Sequence, residues 1–293
     1  MMAVSHRRVR TVRDGQGIRV TPVRDHRTPH PASVTRVAGA CALLSLLLGS
    51  GCSTIEEGPR VIFCDGAGWS GSHRPVSAGL RAAGFRGRVE SFAWSTLLGP
   101  GADHYLVARK KSKGEELAAR IVEIRKAHPD ASLHLMGLSA GTAVVVFALE
   151  QLPDGVRVDN VVLFSASLSE RHDLATAMQH VRGRLYATCS MRDRILSGVG
   201  VTADGLSGRP AGLGGLRIPD RMRSDDGYAR VVNLHWRPAY AGFGWTGTHT
   251  GVADKRFVQH VIAPRLLDPL PHPLDRPLAS SRTGRYGTLA RTP

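Results

Sequence analysis

The chain has 293 residues with 42% hydrophobic and 22% charged side chains, which excludes collagen-like and low-complexity classes and allows one large domain or two small ones. Its formal net charge is +15, of which the first 36 residues supply +6 (eight Arg minus two Asp), leaving +9 on the rest. A moderately basic body of this kind favours solubility, and the arginine-rich arm comes without aromatics or a motif, so no nucleic-acid partner is expected.

Residues 37–51 (VAGACALLSLLLGSG) carry no charge. The run is shorter than the about 20 residues that span a bilayer, and it ends in small residues, as the apolar core and cleavage zone of a secretory signal do. The following Leu48-Gly49-Ser50-Gly51-Cys52-Ser53 resembles the lipobox of bacterial lipoproteins, with the aliphatic residue four places before the cysteine and not three. That resemblance implies cleavage before Cys52, acylation of Cys52 and of the new N-terminus, and export to a lipid-anchored position at an envelope membrane. Several acyl chains exceed the two signals that stable anchoring needs. An ordinary cleaved signal with Cys52 incidental is the alternative. Because valine can be encoded by the start codon GTG, initiation at Val34 would give a compact signal with Arg36 as its charge.

From residue 59 strand-like and helix-like stretches alternate. Residues 60–64 (RVIFC) read as a strand and 65–71 as a glycine-rich turn. Residues 75–83 read as a helix ended by Gly84, 89–94 (VESFAW) as a strand, and 97–112 as a loop with a Lys/Arg cluster. Residues 115–128 carry an apolar helical stripe closed by Pro129. Residues 158–164 are a strand, 170–181 a helix and 185–189 (LYATC) a strand. Residues 195–228, rich in Gly, Pro and Asp, predict a long surface excursion of the functional or mobile kind. Residues 231–236 are a strand, 237–250 a loop, and 254–267 a helix bent at Pro264. The polar, proline-rich residues 268–293 are expected to be disordered.

Alternation of this sort implies an α/β fold: a mostly parallel sheet of about six strands with helices on both faces, in one domain over residues 59–267. Cys64 and Cys189 end strands three spacings apart, about 14 Å. A disulfide needs Cα atoms within about 7 Å, so two buried free thiols are expected.

The central stretch is residues 133–149, LHLMGLSAGTAVVVFAL. A short apolar run ends in Gly137-Leu138-Ser139-Ala140-Gly141 and a longer one follows at once, which is a strand, a sharp turn and a buried helix. Gly-x-Ser-x-Gly alone is common by chance, but its place between a strand and a helix is not. Such a turn pushes the serine hydroxyl out of the sheet and sets the helix N-terminus beside it.

These residues together resemble the α/β-hydrolase superfamily over nearly the whole body, in a minimal form lacking the antiparallel hairpin that begins the full sheet. The resemblance implies a nucleophile, an acid and a base in the order Ser, Asp, His. Ser139 takes the first place, with a capping serine as the bland alternative. Asp193, just after LYATC, takes the second; Asp173 is the runner-up, and Asp204, Asp220, Asp225 and Asp226 rank lower. His249, in Gly247-Thr248-His249-Thr250-Gly251 after the last strand, is the expected base, whereas His235 and His260 read as structural. The oxyanion donors are expected to be the N–H groups of Ala140 and Ala67, with Gly68 second, in the Asp65-Gly66-Ala67-Gly68 turn.

The function so implied is hydrolysis of a small-molecule or lipid carboxylic ester, or a thioester, through an acyl-enzyme, with no cofactor and no metal. A catalytically inactive lipoprotein using the same fold as a binding module is the competing class. Nucleotide binding at residues 65–71 fails on pattern, for neither a Walker lysine nor Gly-x-Gly-x-x-Gly is present.

Overall fold

The computed structural model describes residues 58–68, 70–96, 98–219 and 227–268. The expected signal segment, Cys52 and the tail beyond residue 268 lie outside the described residues. So do Asp220, Asp225 and Asp226.

Six strands form one sheet: β1 (Arg60–Cys64), β2 (Arg88–Ser91), β3 (Leu133–Leu138), β4 (Val161–Phe164), β5 (Leu185–Cys189) and β6 (Val231–His235). All five pairings are parallel and the order is β2-β1-β3-β4-β5-β6. Strands β1, β3, β4 and β5 are buried at every position, as the near-continuous apolar runs of a parallel sheet covered on both faces require. The order in which strands are added reverses at β1, with β2 on one side and β3 on the other, and the C-terminal ends of β1 and β3 carry the turns where open α/β sheets hold their sites.

The helices are α1 (His73–Ala82), α2 (Pro100–Tyr105), α3 (Val107–Ala127), α4 (Gly141–Glu150), α5 (Ala175–Gln179), α6 (Arg194–Ser197), α7 (Ala211–Gly214), α8 (Pro238–Ala241) and α9 (Lys255–Phe257). Helix α9 continues through a π-turn, Val258–Ile262, into α10 (Ala263–Leu267). One apolar cluster joins α3 and α4 to Ile62, Leu135, Leu163 and Ala187 on one face. The other packs α1 and α9 against Val61, Phe63, Met136 and Phe164. No described helix is long and apolar enough to cross a membrane.

Several stretches differ from the sequence reading: the strand expected over 89–94 ends at Ser91, the loop expected over 237–250 contains α8, and three others differ more. Residues 97–112, expected as a loop, contain α2 and the first turns of α3. The Lys/Arg cluster there is not wholly solvated: Lys110 is fully buried, its ammonium donating to the carbonyls of Asp103 and His104. Gly114, which resembles a helix breaker, instead lets α3 approach α4, since a Cβ there would stand 2.8 Å from Cβ of Phe147. Residues 170–181 are helical only in α5, because tertiary contacts take the first turns. Glu170 is paired with Arg209 and Arg217, and His172 is held between Glu150 and Asp204.

Residues 195–219 are no free excursion over the surface. Ala203 and Ala211 are fully buried, and their N–H groups donate to the carbonyls of Ser167 and Leu168 at 2.9 and 2.7 Å. The bend at Pro264 takes the form of the π-turn, which spares the i−4 carbonyl a clash with the proline ring. Cys64 and Cys189 are free and buried, with β3 and β4 between their strands.

Candidate active site

Strand β3 ends at Leu138 and helix α4 starts at Gly141, which leaves two residues for the turn. Ser139 absorbs it with a φ of +52°, a left-handed conformation that costs a non-glycine residue energy and persists only where its surroundings hold it. They do so here. The Ser139 N–H donates to the Phe164 carbonyl at 2.9 Å, and its own carbonyl accepts from the N–H and hydroxyl of Thr142 and from the Ser167 N–H. The flanking glycines are required by contact. A Cβ on Gly137 would lie 2.9 Å from the Gly141 carbonyl oxygen, and one on Gly141 would overlap the carbonyl oxygens of Cys64 and Asp65.

That second contact sets the β1 turn directly against the start of α4. The Asp65 carboxylate shapes this turn by accepting from the N–H groups of Gly66 and Ser72, at 2.8 and 3.0 Å, and from the Ser70 hydroxyl. Trp94 Nε1 fixes the Asp65 carbonyl at 2.8 Å. The Gly68 N–H is committed to the buried Asp103 carboxylate at 2.9 Å, so the second-ranked oxyanion donor is occupied. Burial acts to raise the Asp103 pKa, but its hydrogen bonds from Thr96, Gly68 and Ser95 outweigh this and hold it below the usual carboxylate value. Among the described residues, the N–H groups of Ala67 and Ala140 donate to no protein acceptor.

On the other side of Ser139, Asp193 follows β5 and caps α6. Its Oδ1 accepts from the N–H groups of Ile195 and Leu196 at 3.1 and 3.0 Å. Its Oδ2 lies 2.7 Å from Nδ1 of His249, and both residues are buried. The approach depends on Gly247, whose φ of +91° and missing side chain let the loop after β6 close on Ser190 and Arg192. Trp245 Nε1 holds the Thr248 carbonyl at 3.2 Å, and Trp236 Nε1 holds the Trp245 carbonyl at 2.9 Å. An open cleft of about 700 Å³ lies beside His249, lined by Arg192, Arg194, Ile195, Thr248 and their neighbours.

The runner-up acid is engaged elsewhere: Asp173 accepts from the Tyr228 hydroxyl and the Ala175 N–H, both at 3.0 Å. Asp204 binds His172 at 2.8 Å and the Ser169 N–H. Burial pushes the His172 pKa down, but the hydrogen bonds and charges of Asp204 and Glu150 outweigh it and leave it up at about 9. His235 contacts the Cys189 sulfur at 3.2 Å, and His260 stacks on Phe243.

One residue that sequence reasoning did not single out is Ser167. It is buried, and its Oγ lies 3.1 Å from Oγ of Ser139. No hydrogen bond joins Ser139 Oγ to His249 among the described residues. Ser167 stands in Ser165-Ala166-Ser167-Leu168-Ser169 after β4, and the only sequence signal is a run of small polar residues at the C-terminal end of a central strand.

No family model matches the chain, and no curated protein matches it. Among solved structures it is similar to a Trichoderma reesei cutinase in complex with a C11Y4 phosphonate inhibitor. That likeness has 20% identity and a TM-score of 0.35, and covers 57% of this chain and 81% of the cutinase. It is also similar to an uncharacterized protein from Bacillus cereus ATCC 10987, with 17% identity and a TM-score of 0.35, covering 53% of this chain and 51% of the other. The fold class stands on the sheet itself: an α/β protein with six parallel strands and helices on both faces.

Proposed function

We propose that this chain is a serine hydrolase that cleaves a carboxylic ester or thioester through an acyl-enzyme. The observation that carries the reading is the buried Asp193–His249 hydrogen bond at the same end of the sheet as the strained Ser139 turn. With Nδ1 of His249 donating to Asp193, Nε2 is left as the acceptor, the tautomer a general base needs. For catalysis Ser139 Oγ must leave Ser167 and turn to Nε2. His249 takes the Oγ proton as Oγ attacks the ester carbonyl carbon. The electron pair of the C=O bond moves to the oxygen, and the N–H groups of Ala67 and Ala140 stabilise it, aided by the N-terminus of α4. Collapse expels the alkoxide, which receives the proton from His249. Water, deprotonated by His249, then attacks the acyl-enzyme and releases the acid and Ser139.

The export signal and the acylated Cys52 belong to this proposal and rest on the sequence pattern around Leu48 and Cys52. They would hold the hydrolase at an envelope membrane, where lipid esters are available as substrates.

The inactive binding module is the second reading, favoured by one observation: the Ser139 hydroxyl is paired with Ser167 and not with His249. Labelling with a fluorophosphonate probe separates the two. A label lost in Ser139→Ala supports the hydrolase, and no labelling of folded protein overturns it. A panel of p-nitrophenyl esters of graded acyl length then defines the substrate.

A further inference from the structure

The exposed large apolar side chains are not scattered over the molecule. Apart from Leu267, every one among the described residues lies on the segments that follow β2 and β5, both at the end of the sheet that carries Ser139. Leu98 (76% exposed), Tyr105 (61%) and Leu106 belong to the first segment; Ile195 (60%), Val201 and Leu206 belong to the second. The two segments touch. His104 Nε2 is hydrogen-bonded to the Val201 carbonyl at 2.9 Å, and a Cβ on Gly205 would stand 3.1 Å from the Val107 side chain. Leucines and a tyrosine kept in water on adjoining segments form the kind of patch that marks an interaction surface.

The charges of the same segments are sorted by sign. Within residues 91–113 and 190–209 the carboxylates are Asp103, Asp193 and Asp204, and all three are buried and hydrogen-bonded within the protein. The exposed charges there are Arg109, Lys111, Arg192 and Arg194, all basic. Beyond this stretch, α3 continues with the exposed Glu115 and Glu116. Apolar side chains beside exposed cations, with the carboxylates of the same two stretches buried, complement a surface that is anionic outside and hydrocarbon inside.

We infer that the segments following β2 and β5 together form a docking face for an anionic phospholipid bilayer, set beside Ser139. Leu98, Tyr105, Ile195 and Leu206 enter the headgroup boundary, while Lys111, Arg192 and Arg194 meet the phosphates. The inference goes beyond the hydrolase reading and does not depend on it, since the face exists whether or not Ser139 reacts.

The test uses the full chain with Cys41→Ser and Cys52→Ser, so that no acyl chain takes part and Cys64 and Cys189 remain as buried thiols. Leu98→Cys, Leu206→Cys and, as a control, Asp154→Cys on the α4–β4 connection at the opposite end of the sheet are each labelled with acrylodan. On addition of phosphatidylglycerol vesicles, emission at positions 98 and 206 should shift to shorter wavelength, while emission at 154 should not. The response should weaken as salt rises, and Lys111→Glu should raise the lipid concentration for half-response by about fivefold or more. No shift at 98 and 206 overturns the inference, as does an equal shift with phosphatidylcholine vesicles or at 154. Ser139→Ala should keep the full shift. A shift retained without any fluorophosphonate labelling of the parent leaves the docking face standing and removes the hydrolase reading alone.

Discussion

The two carboxylate oxygens of Asp193 do different things. Oδ2 takes Nδ1 of His249 at 2.7 Å, and Oδ1 accepts the N–H groups of Ile195 and Leu196 at the start of α6. The residue that orients the histidine is therefore itself held by a helix cap. Its side chain is 1% exposed, so water does not compete for either oxygen.

This double engagement separates two substitutions. Asp193→Asn keeps an oxygen for the cap but replaces the acceptor facing His249 with an amide, which favours the wrong tautomer. We expect kcat to fall by about 10⁴-fold with little change in melting temperature. Asp193→Ala removes both functions and should add a loss of about 1 kcal/mol in stability, the usual worth of a cap. Steady-state kinetics and urea melts of both variants check this; equal stabilities would show that the cap contributes nothing.

Asp173→Asn should leave kcat/KM within about twofold of the parent. Its hydrogen bonds run to Tyr228 and to the start of α5, both on the protein's own framework. A loss as large as that of Asp193→Asn would transfer the proposed acid role to Asp173.

The sheet and the Ser139 turn were legible in the sequence for a common reason. Strands β1, β3 and β5 are buried on both faces, so each is a near-continuous apolar run bounded by turn residues. Gly137 and Gly141 beside Ser139 announce contacts that no side chain could make. Asp193 and His249 could be nominated from their places after strands, but that they meet depends on a backbone approach at Gly247, which composition does not reveal. Lys110 misled because a lysine among lysines reads as solvated, while its ammonium is satisfied by the carbonyls of Asp103 and His104. Ser167 meets Ser139 across 28 residues of chain, and a lone serine carries no periodic or motif signal.

Gly141→Ala probes the contact between the start of α4 and the β1 turn. The new methyl group would press on the carbonyls of Cys64 and Asp65, the latter two residues before Ala67. Overpacking against backbone should cost about 3 kcal/mol. Activity should fall further than stability, because the displaced segment carries the proposed Ala67 donor. A variant that melts lower yet hydrolyses esters like the parent would exclude the β1 turn from the oxyanion site.

Ser167→Ala removes the resting partner of the Ser139 hydroxyl. A buried hydroxyl pair contributes about 1 kcal/mol, and we expect a stability loss of that order. Freed from Ser167, Ser139 Oγ should react with a fluorophosphonate at a rate changed by about fivefold or more, with KM for short esters unaltered. An unchanged rate would mean that the Ser139–Ser167 contact is irrelevant to reactivity.

His134 gives the fold a sensitivity to acid that is independent of the site. It lies on β3 on the face it shares with Met136 and Leu138, 4% exposed, and its Nδ1 has no hydrogen-bond partner. Burial pushes its pKa down from 6.5 to about 4, the Asp159 charge opposing this only in part. The unfolded chain therefore binds a proton between pH 6.5 and about 4 that the folded chain refuses. Stability is lost as pH falls through that window, by about 3 kcal/mol from this residue at the lower end. His134→Leu removes the titrating group and the orphaned nitrogen at similar volume. Urea midpoints of parent and variant should lie closer together at pH 4.5 than at pH 7 only if His134 is charged in the fold. We expect the reverse, with the advantage of the variant growing as the pH is lowered.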